Sequence, residues 1–248
     1  MKLILLLFFP LLSFAQFDLS LSPFLRTYPS TGGGLDIKTG YSKTLWAAPD
    51  KLWHGMIRAG GYISSSVVIN EYSYDLTLYP VSFLGFGMAK THIKSDYDQF
   101  TYYDCEEVRC KGLIDRSVVF GKLALAYGKY FSLFNYKVST DTYSDDDPGK
   151  VAEYSYGILA REGSEKHAKR SYLLGLRDDK GFWAYILDTV HFNKSGQEYM
   201  MNLIGRQKQF GKWSLLMGAG MFQSSHVKPA PILLLKINYT VSPSLAKF

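Results

Sequence analysis

Apolar and polar residues alternate along most of this chain, in stretches of about ten residues that are separated by turn-forming segments. Within 68–78, Tyr72 and Leu76 fall on one side of an extended chain, whereas Glu71 and Asp75 fall on the other. After the N-terminal segment, no apolar run approaches roughly 18 residues, and no long amphipathic helical pattern occurs. The pattern therefore predicts an all-β protein built of strands with two different faces.

Thirteen segments carry this alternation, and the last of them shows it most clearly. In 231–241, Leu235 and Ile237 share one face, while Lys236 and Asn238 share the other. A strand buried on both faces of a parallel sheet would not place a lysine and an asparagine there. The segments are 17–28, 33–46, 52–64, 67–79, 81–91, 116–128, 130–139, 151–161, 171–178, 182–192, 198–206, 212–222 and 231–241.

The polar faces carry charges in the middle of the predicted strands. A β-sandwich turns such residues outward and its apolar residues inward. A transmembrane barrel does the opposite, because its lumen is wet and its exterior meets lipid. Glycine inside strands, as in 83–88 and 217–221, suits a tightly curved wall. These features favour a transmembrane antiparallel up-and-down β-barrel. A soluble periplasmic β-protein, such as a lipocalin-like barrel with an apolar cavity, is the alternative.

The four tryptophans, Trp46, Trp53, Trp183 and Trp213, all stand beside turns. Aromatic residues at strand ends form girdles at the level of the lipid headgroups in such barrels. If these four form one girdle, their turns lie on one side, and an odd segment between the third and the ninth must leave the wall. We assign 151–161 to a long outer loop of about 140–170. Twelve strands remain (10–14 are compatible with the pattern), with a second long loop at 92–115.

The N-terminal residues 1–15 have the layout of a cleaved signal peptide. Lys2 is followed by an apolar run that is too short to span a membrane as a helix, and by the small-x-small sequence 13–15. Residues 16–248 then form a single barrel domain. In an exported protein, Cys105 and Cys110 lie close enough to form a local disulfide. The formal net charge of +6 is spread along the chain and is not typical of a nucleic-acid-binding surface.

The signal sequence, the alternation and the final strand together resemble the outer-membrane β-barrel proteins of Gram-negative bacteria. In that class the last strand ends in an aromatic residue preceded by alternating apolar ones, which the assembly machinery reads. The segment Leu233 to Tyr239 matches this pattern, and a short tail follows it up to Phe248. The resemblance implies a location in the outer membrane, with membrane lipid and the barrel-assembly machinery as partners. It names no solute or surface ligand.

The polar faces supply the candidate lumen residues, of which seven are basic and three acidic. Because basic linings favour anions, they predict a narrow, anion-preferring pore for small solutes. A closed barrel filled by paired side chains, or one that acts in surface recognition through its long loops, is the alternative. The candidates are Asp36, Lys38, Arg58, Glu71, Asp75, Lys122, Lys137, Arg177, Arg206 and Lys236.

Catalytic and metal-binding patterns are weak. Outer-membrane phospholipase and lipid A deacylase use a His-x-Ser arrangement, and none of the five histidines here has Ser or Thr two residues later. Asp188 and His191 are three residues apart, so on a strand they face opposite sides. Without further Cys or His at matching spacing, the cysteine pair does not indicate a metal site. The sequence therefore predicts no cofactor and no metal, and an outer-membrane hydrolase is the least favoured function.

Overall fold

The computed structural model describes residues 15–27, 32–49, 53–66, 68–98, 103–143, 150–153, 155–161 and 163–242. The predicted signal peptide, apart from Ala15, and the terminal Phe248 lie outside these ranges. No helix long and apolar enough to cross a membrane occurs within them. Every regular element is a strand.

Twelve strands form a closed antiparallel barrel, and two short strands form a separate hairpin. The barrel strands are β1 (Ala15–Arg26), β2 (Gly32–Ala47), β3 (His54–Ser66), β4 (Ile69–Val81), β5 (Leu84–Ser95), β6 (Gly112–Tyr127), β7 (Tyr130–Tyr143), β10 (Ser164–Asp178), β11 (Gly181–Phe192), β12 (Glu198–Phe210), β13 (Trp213–Ser224) and β14 (Ala230–Ser242). The hairpin consists of β8 (Lys150–Glu153) and β9 (Ile158–Arg161).

Pairing of β1 with β14 closes the sheet, with Leu25 opposite Leu235 and Leu21 opposite Tyr239. Every other barrel strand pairs with its neighbours along the chain, except that β7 pairs with β10 across the hairpin. The prediction of a twelve-stranded up-and-down barrel is confirmed. The segment 151–161 indeed lies outside the wall.

The strands beside the long loops are longer than predicted. β6 begins at Gly112 and β10 at Ser164, so the loops shrink from 92–115 and 140–170 to 96–111 and 144–163. The sequence was misleading there because 164–170 is charged on both faces. Glu165, His167 and Lys169 point into the barrel, while Lys166 and Arg170 point away from it.

The register separates the two faces of the wall, because directly paired residues point to the same side. Leu235 is paired with Met217 and Leu25, and Ile237 with Leu215, so an apolar surface continues from strand to strand. Leu235 and Ile237 are 38% and 39% exposed. Lys236 points the other way and reaches across β1 to pair with Asp36 on β2. Apolar residues thus cover the exterior and charged residues face the lumen, as in a barrel that crosses a membrane.

Arg206 is the one predicted lumen residue that the register places on the exterior. It lies opposite Trp183 and Met217, and its guanidinium stands 5.2 Å from the Trp183 ring centroid, where it also pairs with Asp178. The sequence reading of β12 was inverted because its apolar residues, including Tyr199 and the 1%-exposed Leu203, fill the inside of the barrel. Arg206 therefore lies on the exterior surface of the barrel, beside the turn that follows Asp178.

The two ends of the barrel differ. Five short connections, at 48–53, 82–83, 128–129, 179–180 and 211–212, lie at one end, which we call the short-turn end. The four tryptophans lie beside these turns and are about half exposed. Trp53 packs edge-on against Phe83 of the neighbouring turn, with ring centroids 5.4 Å apart. The loops 96–111 and 144–163 lie at the opposite end, which we call the long-loop end.

The assignment of the two faces predicts that substitutions at neighbouring positions of β14 differ in their effect on the free energy of unfolding. Leu235→Arg puts a guanidinium against hydrocarbon and should lower the free energy of unfolding by about 2–4 kcal/mol. Lys236→Arg keeps a cation beside Asp36 and should change it little. Urea unfolding of the barrel in liposomes, followed by heat-modifiable gel mobility, measures both. Equal losses for the two variants would contradict the assignment of the faces.

Candidate functional site

The lumen is lined by ion pairs that join strands not adjacent in the sheet. Lys236 of β14 pairs with Asp36 of β2, and Asp36 also accepts hydrogen bonds from Tyr62 (3.0 Å) and Ser64 (2.8 Å). Each of these contacts crosses the inner surface of the wall. Because the carboxylate is surrounded by donors, its charge is satisfied within the barrel.

Arg58 of β3 links two further strands of the inner surface, β1 and β4. Its Nη2 donates to Asp18 Oδ1 at 2.9 Å, and its Nη1 lies 3.7 Å from Asp75 Oδ2. The guanidinium lies over Gly40 and Gly60, where an added Cβ would come within 2.2 Å and 2.5 Å of its nitrogens. Here the glycines make room for a buried cation, which is a more specific role than the wall curvature inferred from sequence.

Three predicted lumen lysines, Lys38, Lys122 and Lys137, make no ion pair with any described residue. We call them the lysine group. The ammonium of Lys38 stands 5.6 Å from the Tyr62 ring centroid, and that of Lys122 stands 4.6 Å from the ring centroid of Phe120. The three ammonium groups lie on the inward faces of β2, β6 and β7. The lysine group thus supplies three positive charges to the inner surface without a direct ion pair among the described residues.

A second charged group, which we call the mouth cluster, lies towards the long-loop end and consists of Arg116, Asp141, Glu153, Glu165 and His167. Arg116 donates from Nε and Nη2 to the two oxygens of Asp141, both at 2.8 Å. Its Nη2 also donates to Glu153 Oε1 at 3.0 Å. His167 Nδ1 lies 3.6 Å from Asp141. Since Glu153 belongs to the hairpin, this cluster connects the hairpin to the barrel wall.

The hairpin β8–β9 folds into the mouth of the barrel. Ile158 is fully buried among Val190, Phe192, Leu203 and Phe222, which face inward from β11, β12 and β13. Ser224 Oγ donates to the carbonyl of Gly157 at 2.7 Å. These contacts place the hairpin inside the lumen at the long-loop end.

Tyr156, in the turn of the hairpin, reaches the same inner surface. Its ring centroid is 5.5 Å from those of His167 and Tyr199 and 5.2 Å from the guanidinium of Arg116. Burial raises the pKa of Glu153, against the opposing influence of Arg116. The pair between Arg116 and Glu153 is buried, so it depends on the hairpin remaining packed in the lumen.

The disulfide-bonded loop covers the hairpin. The predicted Cys105–Cys110 disulfide is confirmed, with the two Cα atoms 5.5 Å apart. Arg109 pairs as an isolated parallel bridge with Val151, and the amide of Ala152 donates to the carbonyl of Arg109 at 3.0 Å. Tyr103 Oη donates to the carbonyls of Glu153 (3.1 Å) and Ile158 (3.0 Å). The disulfide thus constrains a loop that packs against the hairpin β8–β9.

The inward charges are more nearly balanced than the sequence indicated. Arg206 leaves the set, and several residues that sequence analysis did not select enter it, among them Asp188, which pairs with Lys169 at 2.7 Å. Most of them were missed because they lie near predicted strand ends or in predicted loops, whereas Asp188 lies within the predicted strand 182–192 and was considered only together with His191. Among the residues that the structure describes, nine inward basic side chains (Arg26, Lys38, Arg58, Arg116, Lys122, Lys137, Lys169, Arg177, Lys236) stand against eight acidic ones (Asp18, Asp36, Glu71, Asp75, Asp141, Glu153, Glu165, Asp188).

The structure does not bring Asp188 and His191 together. Asp188 faces the lumen, whereas His191 faces the exterior and contacts Glu198 through Nδ1 at 3.1 Å. Within the described ranges, no group of three or more His, Cys, Asp or Glu side chains is arranged to hold a metal ion.

No protein-family model and no curated protein matches this chain. Similar solved structures include the β domain of the Bordetella autotransporter BrkA (9% identity, TM-score 0.46), covering 91% of this chain and 98% of that one. The KdgM porin matches at 6% identity and TM-score 0.45, over 90% and 98% of the two chains. The translocator domain of autotransporter NalP from Neisseria meningitidis matches at 10% identity and TM-score 0.38, over 91% and 88%.

Proposed function

We propose that this protein is an outer-membrane barrel that forms a narrow, anion-preferring pore for small solutes, with the hairpin β8–β9 as its gate. The orientation follows the rule that short turns of such barrels face the periplasm and long loops face outward. The short-turn end, where β1 begins, then lies on the periplasmic side. The gate closes the outer mouth.

The lysine group is the observation that carries the proposal. Most other inward charged side chains form an ion pair with a neighbour, as Asp36 does with Lys236. Lys38, Lys122 and Lys137 have no such partner among the described residues. Lumen cations that are not engaged in direct ion pairs remain available to mobile anions, and basic linings favour anions in pores. The proposed preference for anions thus depends on where these three lysines lie, since the total charge of the lining is almost balanced.

Gating is supported by the way in which the hairpin is held. Its contacts with the wall are non-covalent: the pair between Arg116 and Glu153, the hydrogen bond from Ser224, and the packing of Ile158. A loop whose attachment is built from such contacts can leave the lumen without unfolding the barrel.

A permanently closed barrel that acts in structure or surface recognition is the second candidate. The observation in its favour is that Ala152, Glu153 and Ile158 are completely buried. Buried area of this kind is typical of a core more than of a mobile loop. The two candidates differ in whether the hairpin ever leaves the lumen.

The first prediction concerns conductance. Replacing 150–161 by a short Gly-Ser linker should raise the time-averaged current through a single channel in planar bilayers several-fold and hold the channel open, because the hairpin is removed from the lumen. The intact protein should show brief openings to the same level. An equal lack of current from both proteins, with folding verified by heat-modifiable mobility, would contradict the pore.

The second prediction concerns ion preference. Changing Lys38, Lys122 and Lys137 together to Gln should shift the reversal potential in a KCl gradient towards cation selectivity, because three unpaired lumen cations are lost. The matched control changes Lys43, Lys94 and Lys208 to Gln, since these face the exterior. It should leave the reversal potential unchanged. An identical shift in both triple variants would rule out the lysine group as the selectivity element.

The third prediction tests the attachment of the hairpin. Glu153→Gln removes the negative charge that Arg116 contacts, so hydrogen exchange of the hairpin amides should accelerate while exchange of the barrel strands stays slow. Glu198→Gln, which alters an exterior carboxylate, is the control. Unchanged exchange in Glu153→Gln would show that apolar packing alone holds the plug.

A further inference from the structure

One side of the lumen near the short-turn end, formed mainly by β6, β7, β10 and β11, is mostly apolar. A cavity of about 880 Å³ lies there, reached from the short turns. Its lining includes Leu133 and Leu173, which are paired across β7 and β10, and Phe131 and Phe182. Aqueous pores are lined by polar side chains, so an apolar chamber at this end calls for a different explanation from ion passage.

The aromatic residues of this cavity form a continuous surface. The rings of Phe131 and Phe182 meet edge to face, with centroids 5.3 Å apart. Phe131 also lies over Gly175, where an added Cβ would be 2.1 Å from the ring. The absent side chain therefore lets the ring lie flat against the wall and keeps the interior of the cavity free. Trp53, from the turn before β3, borders the entrance.

Arg177 supplies the cation of this cavity. It faces inward opposite Phe182, and its guanidinium carbon stands 5.2 Å from the Phe131 ring centroid. No carboxylate among the described residues pairs with it. The nearby Asp178 faces the exterior and is engaged by Arg206. An exposed guanidinium at the edge of an apolar chamber is a binding group for a carboxylate, which it can contact with two parallel hydrogen bonds.

We propose that this cavity binds a single-chain amphiphile with a carboxylate head, such as a fatty acid. The carboxylate would contact Arg177, and the acyl chain would lie against Phe131, Phe182 and Leu173. Pockets of this size with a mostly apolar lining and a few polar groups are typical small-molecule sites. Binding here does not depend on ion conduction, so it stands or falls separately from the pore.

The experiment uses the intact barrel held in amphipol, so that detergent does not compete for the cavity. Parinaric acid, a naturally fluorescent fatty acid, is the probe, and its methyl ester is the uncharged counterpart. Saturable energy transfer from tryptophan reports binding of either compound. Arg177→Gln removes the cation, and Arg206→Gln removes an exterior guanidinium at the same end as a matched control.

Arg177→Gln should weaken binding of the acid roughly tenfold or more, because a charge-assisted hydrogen bond is lost. Binding of the ester should be unaffected. Arg206→Gln should leave both unchanged. Ala126→Phe, which fills the lumen opposite Phe131, should abolish saturable binding of both compounds, whereas Leu123→Phe on the exterior of β6 should not.

Three results would overturn the proposal: no saturable binding to the unaltered protein, equal losses in Arg177→Gln and Arg206→Gln, or unchanged binding in Ala126→Phe. Heat-modifiable mobility of each variant establishes that the barrel is folded. Conductance of the same preparations is recorded separately, so a silent pore with intact fatty-acid binding would contradict the proposed transport function alone.

Discussion

The structure depends on one constraint: a sheet surrounded by hydrocarbon must satisfy its backbone hydrogen bonds within itself. Pairing of β1 with β14 meets this requirement by leaving no edge. Closure also sorts the side chains, since alternate residues must then face either lipid or an enclosed interior. As a direct consequence, the side chains of the consecutive residues Leu235 and Lys236 face opposite sides of the wall.

Enclosing charged residues creates a second requirement, because an unpaired ion in a narrow interior is costly to keep. The barrel meets it with pairs that cross an intervening strand, such as Arg58 with Asp18 and Lys236 with Asp36. Gly40 and Gly60 leave the space that Arg58 needs. Against this background of paired charge, the lysine group and Arg177 stand out as functional candidates, since no carboxylate among the described residues forms an ion pair with them.

How much the sequence predicts depends on whether neighbouring strands decide the outcome. Alternation predicts the all-β class and thirteen candidate segments, and placing the turns beside the four tryptophans on one side reduces these to twelve strands. It assigns β12 to the wrong face, since Leu203 and Tyr199 are as apolar as lipid-facing residues but pack beneath the hairpin. Asp141 and Glu165 escape notice because partners distant in sequence make them part of the lumen. Which side chains face the lumen therefore follows from the pairing of the strands and cannot be inferred from one strand alone.

The two ends of the lumen are built on different principles, and this difference gives the barrel a direction. At the long-loop end, Glu153 and Ile158 bring both charge and apolar surface into the mouth, and the loop closed by Cys105–Cys110 covers them. At the short-turn end no loop of comparable length is available, and the wall itself supplies Phe131, Phe182 and Leu173. In the proposed pore, a molecule that enters from the short-turn end meets the apolar chamber first, then the lysine group, and finally the hairpin, which the Arg116–Glu153 pair and apolar packing hold in the lumen. Such an order favours amphiphilic or small anionic molecules over neutral polar ones at every stage before the gate.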